Sequence, residues 1–547
     1  MGLALDAAQA RIDAKVRAAV PVSAWAAEHM RTERGDLLDF ERYPHMRAVM
    51  DDPASELAMM CGSQTGKTTT ALCRAFHFCD THTVTAIVTM PTDKDVREFS
   101  KTRATPAIQA SPYLRERMGE VDSMELKTFR HDDGGQSVIF FRGARVETQA
   151  LSIPADLLYH DEIDRSRPDI LSLYIARLAA SRYGRRIVTS TPTLPKYGIA
   201  ACWEDSSRTQ WLVKCPACGD EQPLTWPDSL AIDAADPHYI CGRGHELTRE
   251  TIRQGRWVDE RTDTQVAWRA YHFSRMLMDL WPASRIVQIE KSADYQDYPE
   301  LFHNDVLGLP KSSGDLALNE EMLAKVMVGF PPAARAERSF AGAEQSPKPE
   351  NHRMMIGTVD AEGSTAYIHL EVCGWDRMAE LMVLYNIERL VLDALPETSK
   401  ARELRDAFPG RVYLAYYPNQ AVLKRADDSS IVLDRRDGQV DLDRTATLDQ
   451  SARRVQLQQD FFCAMPARLR EQVMTEMTNM VRGTEKDDHG QPRSFWAEVG
   501  PDHWRHAHNY ATVAGELFRR WSGGLTITSL DLTPANAQRT VKTDDGR

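Results

Sequence analysis

A lysine between a glycine and a threonine is the first group in this chain with evident chemistry. Gly66-Lys67-Thr68 follows the apolar run LAMMCG and opens the helix-forming TTALCRAF. In that setting backbone N–H groups around Gly66 close on phosphate oxygens. Lys67 reaches the β- and γ-phosphates of ATP, and the Thr68 hydroxyl ligates Mg²⁺. Gly62, Gln64, Thr65 and Thr69 complete the phosphate-binding stretch. The strict pattern places glycine five positions before Gly66. Cys61 stands there and Gly62 comes one later, so the loop is a variant. A second apolar run, DLLYHDEID, ends in Asp161-Glu162. Asp161 suits the water shell of the metal, and Glu162 suits orienting and polarising an attacking water. A third, RRIVTSTPT, ends in Thr189-Ser190-Thr191, where the hydroxyls of Ser190 and Thr191 can sense the γ-phosphate. Phosphoryl transfer also calls for a cation on the transition state, with Arg142, Arg145 and Arg177 as candidates.

Cys215-Pro-Ala-Cys218 is followed by Cys241-Gly-Arg-Gly-His245. Three thiolates and one imidazole form a ligand set for tetrahedral Zn²⁺. Four protein ligands leave no open position, so the expected role is structural. A redox CxxC beside an unrelated Cys and His is the competing reading.

In the second half, acids stand at strand ends. MMIGTVDAEGSTAYIHLEVCGW reads as a hairpin with Asp360 closing its first strand. RLVLDALPE reads as another strand ending in Asp393. Two such carboxylates can share a pair of Mg²⁺ or Mn²⁺ ions for phosphodiester cleavage. A third acid is expected from a later helix. Asp502 opens PDHWRHAHNYATVA, with His506 on its face at i,i+4. Glu362 is an alternative ligand of lower rank.

The elements that must hold these groups follow from periodicity. Residues 1–50 read as helical and polar. Between 51 and 210, short apolar strands alternate with amphipathic helices, which predicts an α/β domain with a parallel sheet. Residues 211–260 carry the cysteine cluster, and 261–330 are an aromatic-rich connecting region. Residues 331–352, rich in Pro, Ala and charge, read as a linker. A second α/β unit is expected over 353–522 and a loose tail over 523–547. The 547 residues exceed what one core needs, and 42% apolar with 27% charged residues is globular balance. A net charge of −12 excludes a uniformly basic nucleic-acid coat but not local basic patches. No stretch approaches the ~20 apolar residues of a membrane span. The N-terminus lacks the pattern of a secretory signal, so a cytosolic chain is expected.

The order of phosphate loop, strand-Asp-Glu and Ser-Thr-Pro resembles the large terminase subunits of tailed phages, and the lambda-type (GpA-like) branch most closely, over roughly residues 20–520. The resemblance implies a P-loop ATPase with a zinc-ribbon insertion, then a ribonuclease-H-like nuclease using Asp360, Asp393 and Asp502. It also implies that ERYPHMR is the adenine-side segment, with Tyr43 as a contact. The implied activity is ATP-driven packaging of double-stranded DNA and cutting of concatemers in the bacterial cytoplasm. The implied partners are a small terminase subunit and the procapsid portal, with a homo-oligomeric ring during packaging. Many members carry an arginine inside the loop where Gly62, Ser63 and Gln64 stand here. Two other readings remain open: a helicase-like translocating ATPase without nuclease, and a non-catalytic zinc-bearing DNA-binding or assembly protein.

Overall fold

The computed structural model of the chain describes residues 19–521, except 33, 152, 263–265, 313–316, 361–362, 419–430, 435–437 and 487–490. The first 18 residues, Glu362 and the tail expected over 523–547 therefore lie outside the described residues. The chain divides into two compact units, 1–311 and 312–547.

In the first unit, helices α1 (Val22–His29) and α2 (His45–Asp51) precede strand β1 (Glu56–Cys61) and helix α3 (Lys67–Thr81). The remaining strands are β2 (Thr85–Met90), β3 (Met118–Asp122), β4 (Leu126–Arg130), β5 (Gln136–Gly143), β6 (Leu157–Asp161), β7 (Arg185–Ser190), β8 (Thr209–Lys214), β9 (Glu221–Pro223), β10 (Arg256–Asp259) and β11 (Arg269–Phe273). They form one sheet in the order β10-β8-β11-β1-β7-β6-β2-β5-β4-β3, with β9 on β8. From β8 to β5 every neighbouring pair is parallel. β1 is buried at every position after Glu56 and β6 throughout, as strands covered on both faces must be. The C-terminal ends of β1, β6 and β7 thus meet at one edge, where parallel sheets open a crevice.

Two expected boundaries are corrected here. The α/β domain expected over 51–210 does not close at residue 210, because β11 pairs with β1 in parallel from Leu57↔Arg269 to Cys61↔Phe273. Nor is 211–260 a separate insertion: β8, β9 and β10 continue the same sheet.

The second unit contains β12 (Ser339–Glu344), β13 (His352–Val359), β14 (Thr365–Cys373), β15 (Ile387–Asp393), β16 (Val412–Tyr416), β17 (Ile431–Asp434), β18 (Gln439–Leu442) and β19 (Asp460–Phe462). Their order is β17-β18-β16-β15-β12-β13-β14-β19. Helices α4 (Arg444–Gln456) and α5 (Ala467–Thr478), the hairpin β20 (Met480–Lys486) and β21 (Pro492–Glu498), and α6 (His503–Trp521) follow. The expected linker over 331–352 is also corrected. It contains β12, a central strand antiparallel to β13 and parallel to β15. Its sequence SFAGAE lacks β-branched residues, so propensity does not mark it as a strand. Packing explains the composition. A Cβ on Gly342 would lie 2.0 Å from Ala511 N and 2.4 Å from Ala507 O, so the backbone of α6 rests directly on that of β12.

Candidate functional site

At the edge of the first sheet the loop after β1 turns into α3 at Gly66, whose φ of +87° is the left-handed conformation glycine adopts without strain. The buried Lys67 Nζ lies 2.9 Å from Glu162 Oε1 and donates to Thr191 Oγ1 at 3.1 Å. Thr68 Oγ1 donates to Asp161 Oδ2 at 3.2 Å, and Thr189 Oγ1 donates to Asp161 Oδ1. The second Glu162 oxygen accepts from Ser190 Oγ and from the Thr191 amide, each at 3.3 Å. Glu162 has φ +53°, a left-handed turn that starts the chain away from β6. So Lys67, Thr68, Asp161, Glu162, Ser190 and Thr191 converge from three strand ends.

The charges follow from that geometry. Burial works against ionising Glu162, but the Lys67 ammonium and the Thr191 amide hold its carboxyl below the usual range. Burial and the neighbouring Glu162 charge push Asp161 up. Lys67 is the cation of this pair of acids, and Thr68 and Asp161 offer oxygen ligands of the kind Mg²⁺ takes.

Beside the loop is a cavity of about 270 Å³, lined by Tyr43, Met46, Gln64, Thr65, Gly66 and Thr69 among others. Tyr43 therefore shares a cavity with the loop. The three arginines picked from sequence are elsewhere. Arg142 donates to the carbonyls of Glu125 and Phe141, Arg177 donates to that of Leu151, and Arg145 is exposed. Sequence reasoning missed Arg275, which donates to the carbonyl of Ser63 at 2.8 Å. It stands far from the loop in sequence, so no motif connects the two.

Cys215, Cys218, Cys241 and His245 place their ligand atoms within 4.8 Å of one another. Cys218 Sγ is 3.9 Å from Cys241 Sγ, which is 3.4 Å from His245 Nδ1. The two knuckles turn at Gly219 and Gly244, both at positive φ with open space where a Cβ would stand. Thiolate and imidazole in this grouping fit a tetrahedral Zn²⁺.

In the second unit the register decides which acids meet. Ala343 pairs with Leu392, which brings Glu344, the last residue of β12, beside Asp393 at the end of β15. Gln345 Nε2 donates to the Asp393 carbonyl at 2.6 Å and fixes that edge. Asp502 stands just before α6 on the same edge. Desolvation of the half-buried Glu344 carboxyl, and then the charges of Asp393, Asp502 and Glu498, push it well up. Burial raises Asp393 to about 6. Burial opposes ionising Asp502, but His506, 3.4 Å away, holds it low. Glu498, Asp502 and His506 have ligand atoms within 4.8 Å of one another. Asp502 Oδ2 and Glu344 Oε2 are buried with no hydrogen-bond partner.

Asp360 is not in this group. β13 runs antiparallel to β12, with Gly357 opposite Phe340. Asp360 is therefore at the other end of the sheet, roughly 20 Å from Glu344 at about 3.3 Å per residue. There its Oδ1 accepts the Ser364 amide at 2.7 Å and closes the turn of the hairpin. The proposed pairing of Asp360 with Asp393 is corrected to Glu344 with Asp393. The sign in the sequence was an acid ending a short run, AGAE, obscured by its small residues.

A family model described as phage terminase large subunit gpA, ATPase domain, matches residues 37–258. No curated protein matches the chain. Among solved structures, the HK97 bacteriophage large terminase is similar at 13% identity and TM-score 0.49, over 91% of this chain and 99% of that one. The large terminase of the thermophilic bacteriophage D6E in complex with ADP gives 11% and 0.32, over 86% and 98%. The magnesium-bound large terminase nuclease of the thermophilic phage G20c gives 12% and 0.23, over 36% and 98%.

Proposed function

We propose that this chain, whose residues 37–258 belong to the ATPase-domain family of the phage terminase large subunit gpA, is an ATP-driven motor that packages double-stranded DNA and a metal-dependent endonuclease that cuts it. The observation that carries the motor reading is the convergence of Lys67, Thr68, Asp161, Glu162 and Thr191. In this reading, bound Mg²⁺–ATP supplies the phosphoanhydride and the metal charge that its cleavage needs. Lys67 would bind the phosphates, and Thr68 and Asp161 would hold the metal through oxygen. Glu162 would orient the attacking water. Ser190 and Thr191 report the change along β7, because they bond the same carboxylate.

The nuclease reading is supported by the acids Glu344, Asp393 and Asp502 at one sheet edge, where Glu344 and Asp502 each keep a buried oxygen with no hydrogen-bond partner. Their oxygens suit Mg²⁺ or Mn²⁺, which would activate water and stabilise the leaving oxygen. Zn²⁺ on Cys215, Cys218, Cys241 and His245 is proposed as structural. The proposed partners are double-stranded DNA, a small terminase subunit and a procapsid portal, with a homo-oligomeric ring in the bacterial cytoplasm. Among the described residues no helix is long and apolar enough to cross a membrane.

The test is ATP turnover by wild type, Lys67→Ala and Glu162→Gln. Both variants should lose more than about a hundredfold in turnover, with Glu162→Gln still binding ATP. Turnover by Lys67→Ala equal to wild type would sink the motor reading and leave a non-catalytic assembly protein. DNA-stimulated turnover without cleavage under any metal would favour the helicase-like translocase.

A further inference from the structure

We propose that Arg275 is a positioning residue that makes the phosphate grip of residues 62–68 depend on the occupant of the adjoining cavity, with Trp281 as the contact that touches that occupant. The inference rests on reading this loop as a nucleotide site. It goes beyond that reading in assigning a base-dependent grip to residues outside 37–258.

Three observations carry it. First, the loop is held from one place. Gly62 N donates to the Phe273 carbonyl and Ser63 N to the Asp305 carbonyl, each at 2.8 Å. Arg275 Nε donates to the Ser63 carbonyl at 2.8 Å, and its guanidinium also bonds Ser63 Oγ. The approach is close: a Cβ on Gly62 would lie 2.9 Å from the carbonyl oxygens of Asp305 and Val306. Both hydrogen-bonding groups of the Ser63 main chain are thus taken from outside the loop.

Second, Arg275 is itself tied to the cavity. Its guanidinium carbon is 4.4 Å from the Trp281 ring centroid, and that of Arg285 is 4.0 Å from it. Trp281 lines the cavity of about 270 Å³ together with Tyr43 and the Gln64–Gly66 stretch. A planar base in that cavity would have Trp281 on one wall and the loop on another. Any shift of the indole moves the guanidinium stacked on it, and with it Ser63.

Third, Arg275 is only 7% exposed, and burial lowers its pKa. The forked, planar guanidinium can stack and donate twice at once, which a lysine cannot. The ligand class is a nucleoside di- or triphosphate, as opposed to bare phosphate chains.

The experiment measures the affinity of ADP and of inorganic pyrophosphate by calorimetry. The proteins are the full-length wild type, Arg275→Gln, Arg275→Lys, Trp281→Leu, the double variant Arg275→Gln/Trp281→Leu, and Lys67→Ala. Wild type should prefer ADP over pyrophosphate. Trp281→Leu should weaken ADP by about tenfold and leave pyrophosphate unchanged. Arg275→Gln should shrink the ADP-to-pyrophosphate ratio by a similar factor, and Arg275→Lys should restore less than half of it. The double variant should be no weaker for ADP than Arg275→Gln, because both changes cut one relay. Equal losses of ADP and pyrophosphate in Arg275→Gln, or additive losses in the double variant, would overturn the relay and leave Arg275 a structural brace. If Arg275→Gln does not fold, Arg275→Lys and Trp281→Leu decide the matter by the same ratio. Lys67→Ala binding ADP as wild type does would instead overturn the nucleotide reading beneath it.

Discussion

Asp360 is buried and Glu344 half-buried, and their partners separate their roles. Asp360 spends an oxygen on the Ser364 amide within its own turn. Glu344 keeps an oxygen without a hydrogen-bond partner among Asp393, Asp502 and Glu498. With Mn²⁺ and plasmid DNA, Glu344→Gln and Asp393→Asn should lose cleavage by more than about a hundredfold. Asp360→Asn should keep it within about threefold, since an amide oxygen still accepts from Ser364. The reverse pattern would return the site to the hairpin end. The same carboxyls set a pH dependence. Burial raises Asp393 to about 6, so its protonated form, which cannot ligate, dominates below that value. Glu344 is raised as well, so Mn²⁺ affinity should be higher at pH 7.5 than at pH 5, because both carboxyls must lose their protons to ligate. Thermal shifts with and without Mn²⁺ at pH 5 and 7.5 check this, and stabilisation of equal size at both values would refute it.

At the scale of elements, close approach explains what composition obscured. β12 is built of Ser, Phe, Ala, Gly, Ala and Glu because α6 needs its backbone against the strand. Gly342→Ala would place its Cβ against the Ala507 and Ala511 main chain, which cannot swing aside as a side chain would. It should lower the stability of the second unit by about 2–3 kcal/mol or more. The proposed nuclease activity should fall with it, since α6 begins next to Asp502. Chemical denaturation followed by circular dichroism measures this, and an unchanged midpoint would mean that α6 is not seated on β12. In the first unit, Asp164 is the corresponding joint. It accepts from the Thr193 amide and hydroxyl and from the Ile199 amide. The turn after Glu162 is thereby locked to the loop after β7.

At the scale of the whole chain, the cysteine cluster belongs to the ATPase sheet, because β8 and β10 flank it and continue that sheet. Removing zinc should therefore be felt by ATP turnover. Strong chelation, or Cys215→Ser, is expected to release one zinc per chain and to lower the thermal transition of the first unit by more than about 5 °C. Zinc loss with no change in that transition would make the ribbon energetically separate. Much of the first site was legible from sequence. Lys67 and Thr68 are adjacent in the chain, and Asp161, Glu162, Ser190 and Thr191 each end an apolar strand, so local pattern marks them. Cys215 with Cys218, and Cys241 with His245, were legible as two short-spaced pairs, and the fold brings the pairs together. What only the tertiary structure decided are the groups that meet through register and close packing. β11 enters the sheet beside β1 from a stretch with no motif. Arg275 reaches Ser63 across 212 positions. Glu344, not Asp360, meets Asp393 because parallel pairing aligns the ends of β12 and β15 while antiparallel pairing carries Asp360 to the far edge. Sequence records which residues can do chemistry, and strand direction decides which of them share an edge.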